Sequence, residues 1–181
     1  AGLTKRKAIY LPYKEGYPKA YAIDAANCKF DECGKCVQMC TQKAINLKDA
    51  SKERTMNVGT IVVATGLNEY KPLKEEQYGF GVYPNVVTQL QLARMLDPAG
   101  YTEGKVLRPS DSAKPKSVVM IQCVGSRDER ANVYCSRICC GIALKSARAI
   151  KKLDSHMEVF ICYTDVRAFG LLEQYYKETQ E

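Results

Sequence analysis

Eight of the nine cysteines fall into two quartets, and four thiols together are the donor set of a metal site. Cys28, Cys33, Cys36 and Cys40 follow the spacing C-x4-C-x2-C-x3-C. Cys123, Cys135, Cys139 and Cys140 form the second group, separated from the first by more than eighty cysteine-free residues. Deprotonated sulfur is a soft ligand suited to zinc or to iron–sulfur cores. The first quartet packs its thiols into thirteen residues, close enough to wrap one compact inorganic core. Gly34 lets the backbone fold tightly there, so that its N–H groups can face the sulfurs. A zinc knuckle usually joins two C-x2-C units across a longer gap, so the dense spacing favours iron–sulfur. The second quartet has two readings. It is a four-thiolate cluster, or it contains a redox-active dithiol. The dithiol lacks the usual C-x2-C pair and needs only two of the four. If residues 134–153 are helical, Cys135 and Cys139 share a face and Cys140 is turned about 100° away. Cys123, at the end of a strand, then meets them at the helix N-terminus, where backbone N–H groups favour thiolates. Arg127, Arg130 and Arg137 are the candidate counter-charges. Cys162 stands alone in an apolar run and reads as a small core residue.

Composition narrows the alternatives. Nine is an odd number for a disulfide scaffold. Lys5, Arg6 and Lys7 are followed by no apolar leader segment, so a reducing compartment is expected. A single histidine, His156, excludes imidazole-rich zinc and haem layouts, and it falls in a polar turn where it reads as solvated. The net charge is +7, but the basic residues are scattered and there is no tryptophan. A solvated surface follows, rather than a nucleic-acid partner. With 46% hydrophobic and 26% charged residues, the chain is a folded globular type. Its longest apolar run, residues 61–64, is too short to span a bilayer.

These cysteines must be held by regular elements. Residues 7–13 and 19–24 read as short strands around a turn at 15–18. Residues 57–65 form a β-branched run ending at Gly66 and predict a buried strand. Residues 68–85 read as a structured loop. Residues 88–96 predict a helix with Leu90, Ala93 and Leu96 on one face, Leu92 and Met95 beside them, ended by the Asp97-Pro98-Ala99-Gly100 turn. After a polar connection over 103–116, a strand at 117–123, a helix at 134–153 and a strand at 158–163 alternate as in a parallel sheet. The helix is expected to bury Ile138, Ile142, Leu144, Ala149 and Leu153. No G-x-G-x-x-G occurs, so the pyrophosphate cradle of a dinucleotide site is missing and a complete FAD site is not expected in this chain alone.

The first quartet resembles the iron–sulfur loop of bacterial ferredoxins, with a longer first spacer and Thr41 in place of the usual proline. In two-cluster ferredoxins the fourth cysteine of one run serves the other cluster. Cys40 therefore either closes a single cluster or reaches toward a second motif. Ala64-Thr65-Gly66 is similar to the second flavin-contacting motif of two-dinucleotide-binding-domain flavoproteins. Gly66 would let the backbone approach the cofactor and Thr65 would offer a hydroxyl. The whole pattern resembles the HdrA-like iron–sulfur flavoprotein family, the flavin-bearing component of heterodisulfide reductase and its relatives. It is carried by Lys5-Arg6-Lys7-Ala8-Ile9-Tyr10, the run from Cys28 to Cys40, Ala64-Thr65-Gly66 and Tyr83-Pro84-Asn85-Val86. The most specific parts are Gln122-Cys123-Val124-Gly125-Ser126-Arg127-Asp128-Glu129 and Tyr134-Cys135-Ser136-Arg137-Ile138-Cys139-Cys140. Asp165-Val166-Arg167-Ala168-Phe169-Gly170 extends the match.

The resemblance implies an α/β fold: part of a thioredoxin-reductase-like flavoprotein with a ferredoxin-like insertion. Residues 1–56 would be the iron–sulfur segment, 57–116 part of the FAD-binding domain with its connection, and 117–181 a partial second Rossmann-like domain. It implies an oxidoreductase component that relays electrons between FAD and [4Fe–4S] clusters, in methanogens by splitting electron pairs at the flavin. Cys123, Cys135, Cys139 and Cys140 would then hold a [4Fe–4S] cluster near the flavin. The implied partners are other redox subunits and ferredoxin or a similar carrier, with a cytoplasmic location and no transmembrane segment. The family's upstream FAD glycine motif and second ferredoxin run are not in this sequence, so an internal segment or a split subunit is expected. The readings left open beside it are a zinc-stabilised docking module without redox activity and an NAD(P)H-dependent disulfide oxidoreductase.

Overall fold

The computed structural model describes residues 3–12, 16–17, 19–50, 52–72 and 78–181. The chain divides into two compact units, Lys5–Gly66 and one containing Leu67–Glu181.

In the first unit, β1 (Ile9–Tyr10) and β2 (Ala22–Ile23) pair antiparallel, Ile9 opposite Ile23 and Tyr10 opposite Ala22. Both strands are shorter than the sequence predicts, and the predicted turn lies partly outside the described residues. The Asp24 backbone N–H extends the pairing to the Ala8 carbonyl at 2.8 Å. Arg6 clamps the ribbon, bonding Asp24 at 3.0 Å and stacking 3.5 Å from the Tyr10 ring centroid. A 3-10 turn (Phe30–Glu32) and a one-turn helix, α1 (Lys35–Met39), follow. Gly34, at φ +54°, caps α1 in the left-handed region that glycine enters without a Cβ penalty.

The buried strand expected over residues 57–65 does not form. The segment has no strand hydrogen bonding and its side chains are exposed, Val62 at 85%. A β-branched run expresses its strand preference only against a paired neighbour, and among the described residues none lies beside it.

The second unit is a β-α-β arrangement. β3 (Ser117–Ile121) and β4 (Glu158–Cys162) run parallel, in register from Ser117–Glu158 to Ile121–Cys162, and α3 (Cys139–Leu153) connects them. The fold is thus mixed α/β, with strand–helix–strand order as the alternation predicts. Leu92, Val106, Met120, Ala143, Ala147, Ile150 and Met157 form the core, with Val118, Val159 and Ile161 packed on it. Two alanines on the buried helix face let α3 lie close to the sheet. The buried face of α3 is Cys140, Ala143, Leu144, Ala147 and Ile150 rather than the expected set; of that set only Leu144 is buried, while Ile138 and Leu153 are exposed.

α2 (Gln89–Leu96) begins where the sequence places it. Thr88 and Gln91 form a reciprocal capping box, with bonds of 3.2 and 2.8 Å. The Glu69 carboxylate receives the Leu90 N–H at 3.0 Å, adding negative charge at the helix N-terminus. The buried residues of α2 are Leu92 and Met95, while Leu90 faces solvent, so the apolar stripe is turned from the expected one. Thr102 is buried and donates to the Met95 carbonyl at 2.9 Å. α4 (Leu171–Gln180) is not foreseen from sequence; its exposed leucines obscure any periodic apolar stripe. Among the described residues no helix is long and apolar enough to cross a membrane.

Candidate functional site

The first cysteine quartet runs from the loop before the 3-10 turn (Cys28), through the end of that turn (Cys33) and α1 (Cys36), to the C-cap of α1 (Cys40). The Phe30 N–H donates to the Cys28 sulfur at 3.3 Å, and the Ala44 N–H donates to the Cys40 sulfur at 3.4 Å. Both bonds favour sulfur that carries negative charge. Phe30 at φ +41° and Lys43 at φ +50° show how sharply the backbone bends on either side.

The second quartet is organised by the loop between β3 and α3, which folds on itself. The Arg127 N–H bonds the Tyr134 carbonyl at 3.1 Å, the Ser126 hydroxyl bonds the same carbonyl at 2.8 Å, and Asn132 bonds the Gly125 carbonyl at 2.8 Å. Positive φ recurs at every second position: Cys123 (+61°), Gly125 (+66°) and Arg127 (+60°). Only glycine fits position 125, because a Cβ there would stand 2.2 Å from the Tyr70 ring.

Cys123 lies just beyond the end of β3, and Cys139 and Cys140 open α3. Cys140 is 5% exposed and interacts with both Cys139 and Cys123. Burial pushes the Cys140 thiol above its ordinary pKa and the neighbouring sulfurs add to this, while the Arg167 backbone N–H pulls it back down. The Ser136 hydroxyl lies 3.8 Å from the Cys139 sulfur. Cys135 does not share a helix face with Cys139. Arg137 sits at φ +64°, which ends helical geometry, so α3 starts at Cys139 and Cys135 lies in the preceding turn. There the Arg137 N–H donates to the Cys135 sulfur at 3.3 Å. Cys162, expected in the core, is exposed on the open face of β4.

Of the three arginines, Arg127 pairs with the Asp165 carboxylate. Arg130 turns instead to Asp128, with Nε at 3.0 Å and Nη2 at 2.8 Å, and holds its carboxyl down to about 2. A depressed carboxylate stabilises the fold above its unfolded pKa, and that contribution is lost as pH falls from near 3.8 through about 2. A carboxyl NMR titration should therefore place the Asp128 midpoint near 2, and Arg130→Gln should move it up toward 3.8. An ordinary midpoint in the parent protein would refute the clamp. His156 is exposed in a turn, as expected.

The donor set fits a thiolate-ligated inorganic group. It is all sulfur, and backbone N–H groups already face Cys28, Cys40, Cys135 and Cys140. Among the described residues no three Cys, His, Asp or Glu side chains are gathered as tightly as a single metal ion requires. At the flavin-like motif, Gly66 has φ +75° and open space where a Cβ would be, and Ala64 and Thr65 are exposed. Sequence reasoning misses Asp165, which pairs with Arg127, and the Arg167 N–H, which acts on Cys140, both from beyond β4. Their run stands out as a motif, but no spacing rule ties it to thiols so far back along the chain.

No family model matches the chain. It is 49% identical, over 99% of its length, to the HdrA component of H(2)/formate:CoB-CoM heterodisulfide,ferredoxin reductase from Methanococcus maripaludis. Identity is 48% to the corresponding iron-sulfur component of CoB–CoM heterodisulfide reductase from Methanocaldococcus jannaschii, and 43% to that of ferredoxin:CoB-CoM heterodisulfide reductase from Methanosarcina acetivorans. The resemblance read from the motifs is borne out. The chain spans about a quarter of the length of these relatives, 26–27%.

Proposed function

We propose that this chain, similar over 99% of its length to about a quarter of the HdrA component of heterodisulfide reductases, is the electron-relay segment of an oxidoreductase of that kind. Cys28, Cys33, Cys36 and Cys40 would hold one [4Fe–4S] cluster, and Cys123, Cys135, Cys139 and Cys140 another. The observation that supports this reading is the set of backbone N–H groups donating to the Cys28, Cys40 and Cys135 sulfurs at 3.3, 3.4 and 3.3 Å. Bound clusters supply one-electron storage. The chain's own residues shape that chemistry. The Phe30, Ala44, Arg137 and Arg167 N–H groups stabilise charge on sulfur, and burial at Cys140 keeps water away.

Ala64, Thr65 and Gly66 are the residues offered to FAD. The rest of that site and the wider two-dinucleotide-binding fold belong to a longer polypeptide of the relatives' length. Residues 1–56, 57–116 and 117–181 would serve as iron–sulfur segment, flavin-domain portion and partial second domain. The relatives' names support ferredoxin and further subunits as partners; redox activity of those subunits and a cytoplasmic location belong to the same proposal. The test is an oxygen-free preparation of the whole protein. Iron and acid-labile sulfide in about equal amounts, with broad visible absorption, is the expected result. Zinc without iron would defeat the proposal.

A further inference from the structure

We infer that the cavity between α3, β4 and α4 is a binding site for a small uncharged apolar molecule, no larger than benzene, whose occupancy holds α4 in place. The site requires no metal.

The cavity measures about 160 Å³ and is partly enclosed. α3 contributes Cys140 and Leu144, β4 contributes Ile161, and Val166 follows; Tyr176 and Thr179 of α4 close it. Of the second quartet only Cys140 lines this space, so it is not the region among those four sulfurs. The polar groups that α4 brings are already bonded within the helix. The Thr179 hydroxyl donates to the Tyr175 carbonyl at 2.6 Å, and the Gln180 side-chain amide donates to the Tyr176 hydroxyl at 3.1 Å. Among the described residues no buried side-chain nitrogen or oxygen lacks a hydrogen-bond partner. No orphaned buried group in the walls therefore demands water. An apolar cavity of about 150 Å³ stays dry and takes up benzene or xenon, because water needs two or more polar partners to enter.

α4 is the part of the wall with the weakest attachment. None of its residues is buried. Arg148 of α3 bonds Glu178 at 2.9 Å and stands 4.5 Å from the Tyr175 ring centroid. Both members of that ion pair are exposed, and such pairs contribute little to stability. A molecule between Tyr176 and the wall of Leu144, Ile161 and Val166 supplies the apolar contact that α4 otherwise lacks. Helices with few buried contacts open locally, and a ligand that binds only the closed form suppresses the opening.

The experiment is hydrogen–deuterium exchange of the whole protein, prepared without oxygen, with and without benzene. Benzene should slow amide exchange over residues 171–180 by the factor 1 + [benzene]/Kd, about twofold where its concentration equals Kd. Exchange over Lys35–Met39, in the other unit, should not change. Val166→Phe fills the cavity and should abolish the slowing. Should that variant fail to fold, Thr179→Leu fills it from the half-buried side of α4: loss of the slowing supports the site, and retained slowing overturns it. Crystals of the parent protein under xenon pressure should show a xenon atom between Leu144 and Tyr176. The inference is overturned by unchanged α4 exchange in benzene, by an undiminished effect in Val166→Phe, by no xenon in this space, or by iron and sulfide filling it in the parent.

Discussion

Cys123→Ser in the whole protein should abolish the iron and sulfide of the second centre, one full cluster's worth, while the first centre keeps its own. Serine is nearly isosteric but offers a hard, weakly acidic oxygen where a soft thiolate is needed. Cys123 is the informative choice among the four. It is only partly buried and lies in a loop rather than in the core, so its hydroxyl can be solvated without collapsing the α3 packing. Cys140 is less clean. At 5% exposure it also packs the buried face of α3, and a serine there confounds ligand loss with destabilisation. Cys162→Ser is the matched control. That thiol is exposed at the end of β4, and its loss should leave iron, sulfide and visible absorption unchanged. Iron content, acid-labile sulfide and the visible spectrum measured on the same anaerobic samples check all three variants. Unchanged iron in Cys123→Ser would remove this residue from the ligand set and with it the present form of the second centre.

The two cysteine groups and the β3–α3–β4 order are legible because both depend on short-range signals: ligand spacing, alternation of apolar runs, and the Thr88–Gln91 cap. What sequence misjudges depends on long-range geometry. The run at 57–65 has the composition of a buried strand, yet a strand exists only with a partner to bond, and composition carries no information about one. Periodicity starts α3 at Tyr134, ahead of its true start at Cys139, because nothing in Tyr134-Cys135-Ser136-Arg137 forbids a helix; the left-handed turn at Arg137 does so through its backbone alone. That single turn decides the second quartet, since it removes Cys135 from the helix face shared with Cys139. The rotated stripes of α2 and α3 have a related origin. Several apolar residues surround each helix, and which of them is buried depends on where the sheet lies. Cys162 illustrates the same limit on β4, where residues alternate between the packed face of Val159 and Ile161 and the open face of Phe160 and Cys162.

The largest stability effect should come from Ile150→Ala. Ile150 is 0% exposed and belongs to the cluster in which α3 meets Met120 of β3 and Met157 before β4. Truncating it removes three carbons from a site enclosed by a helix, two strands and the Leu92 face of α2, where the backbone cannot close the gap. The expected loss is about 2–5 kcal/mol, the range for large-to-small changes at closed core sites. Against a typical domain stability of about 5–15 kcal/mol, that is a substantial fraction of the whole. Leu171→Ala provides the contrast. Leu171 is an aliphatic residue of similar size on a helix, but it is 98% exposed at the start of α4, so its truncation should change stability by no more than about 0.5 kcal/mol. Denaturant unfolding of the anaerobic protein measures both. A midpoint for Ile150→Ala as close to the parent as that of Leu171→Ala would mean that the α3–sheet interface is not the closed core described, and that the loop carrying Cys123 must be anchored by something else.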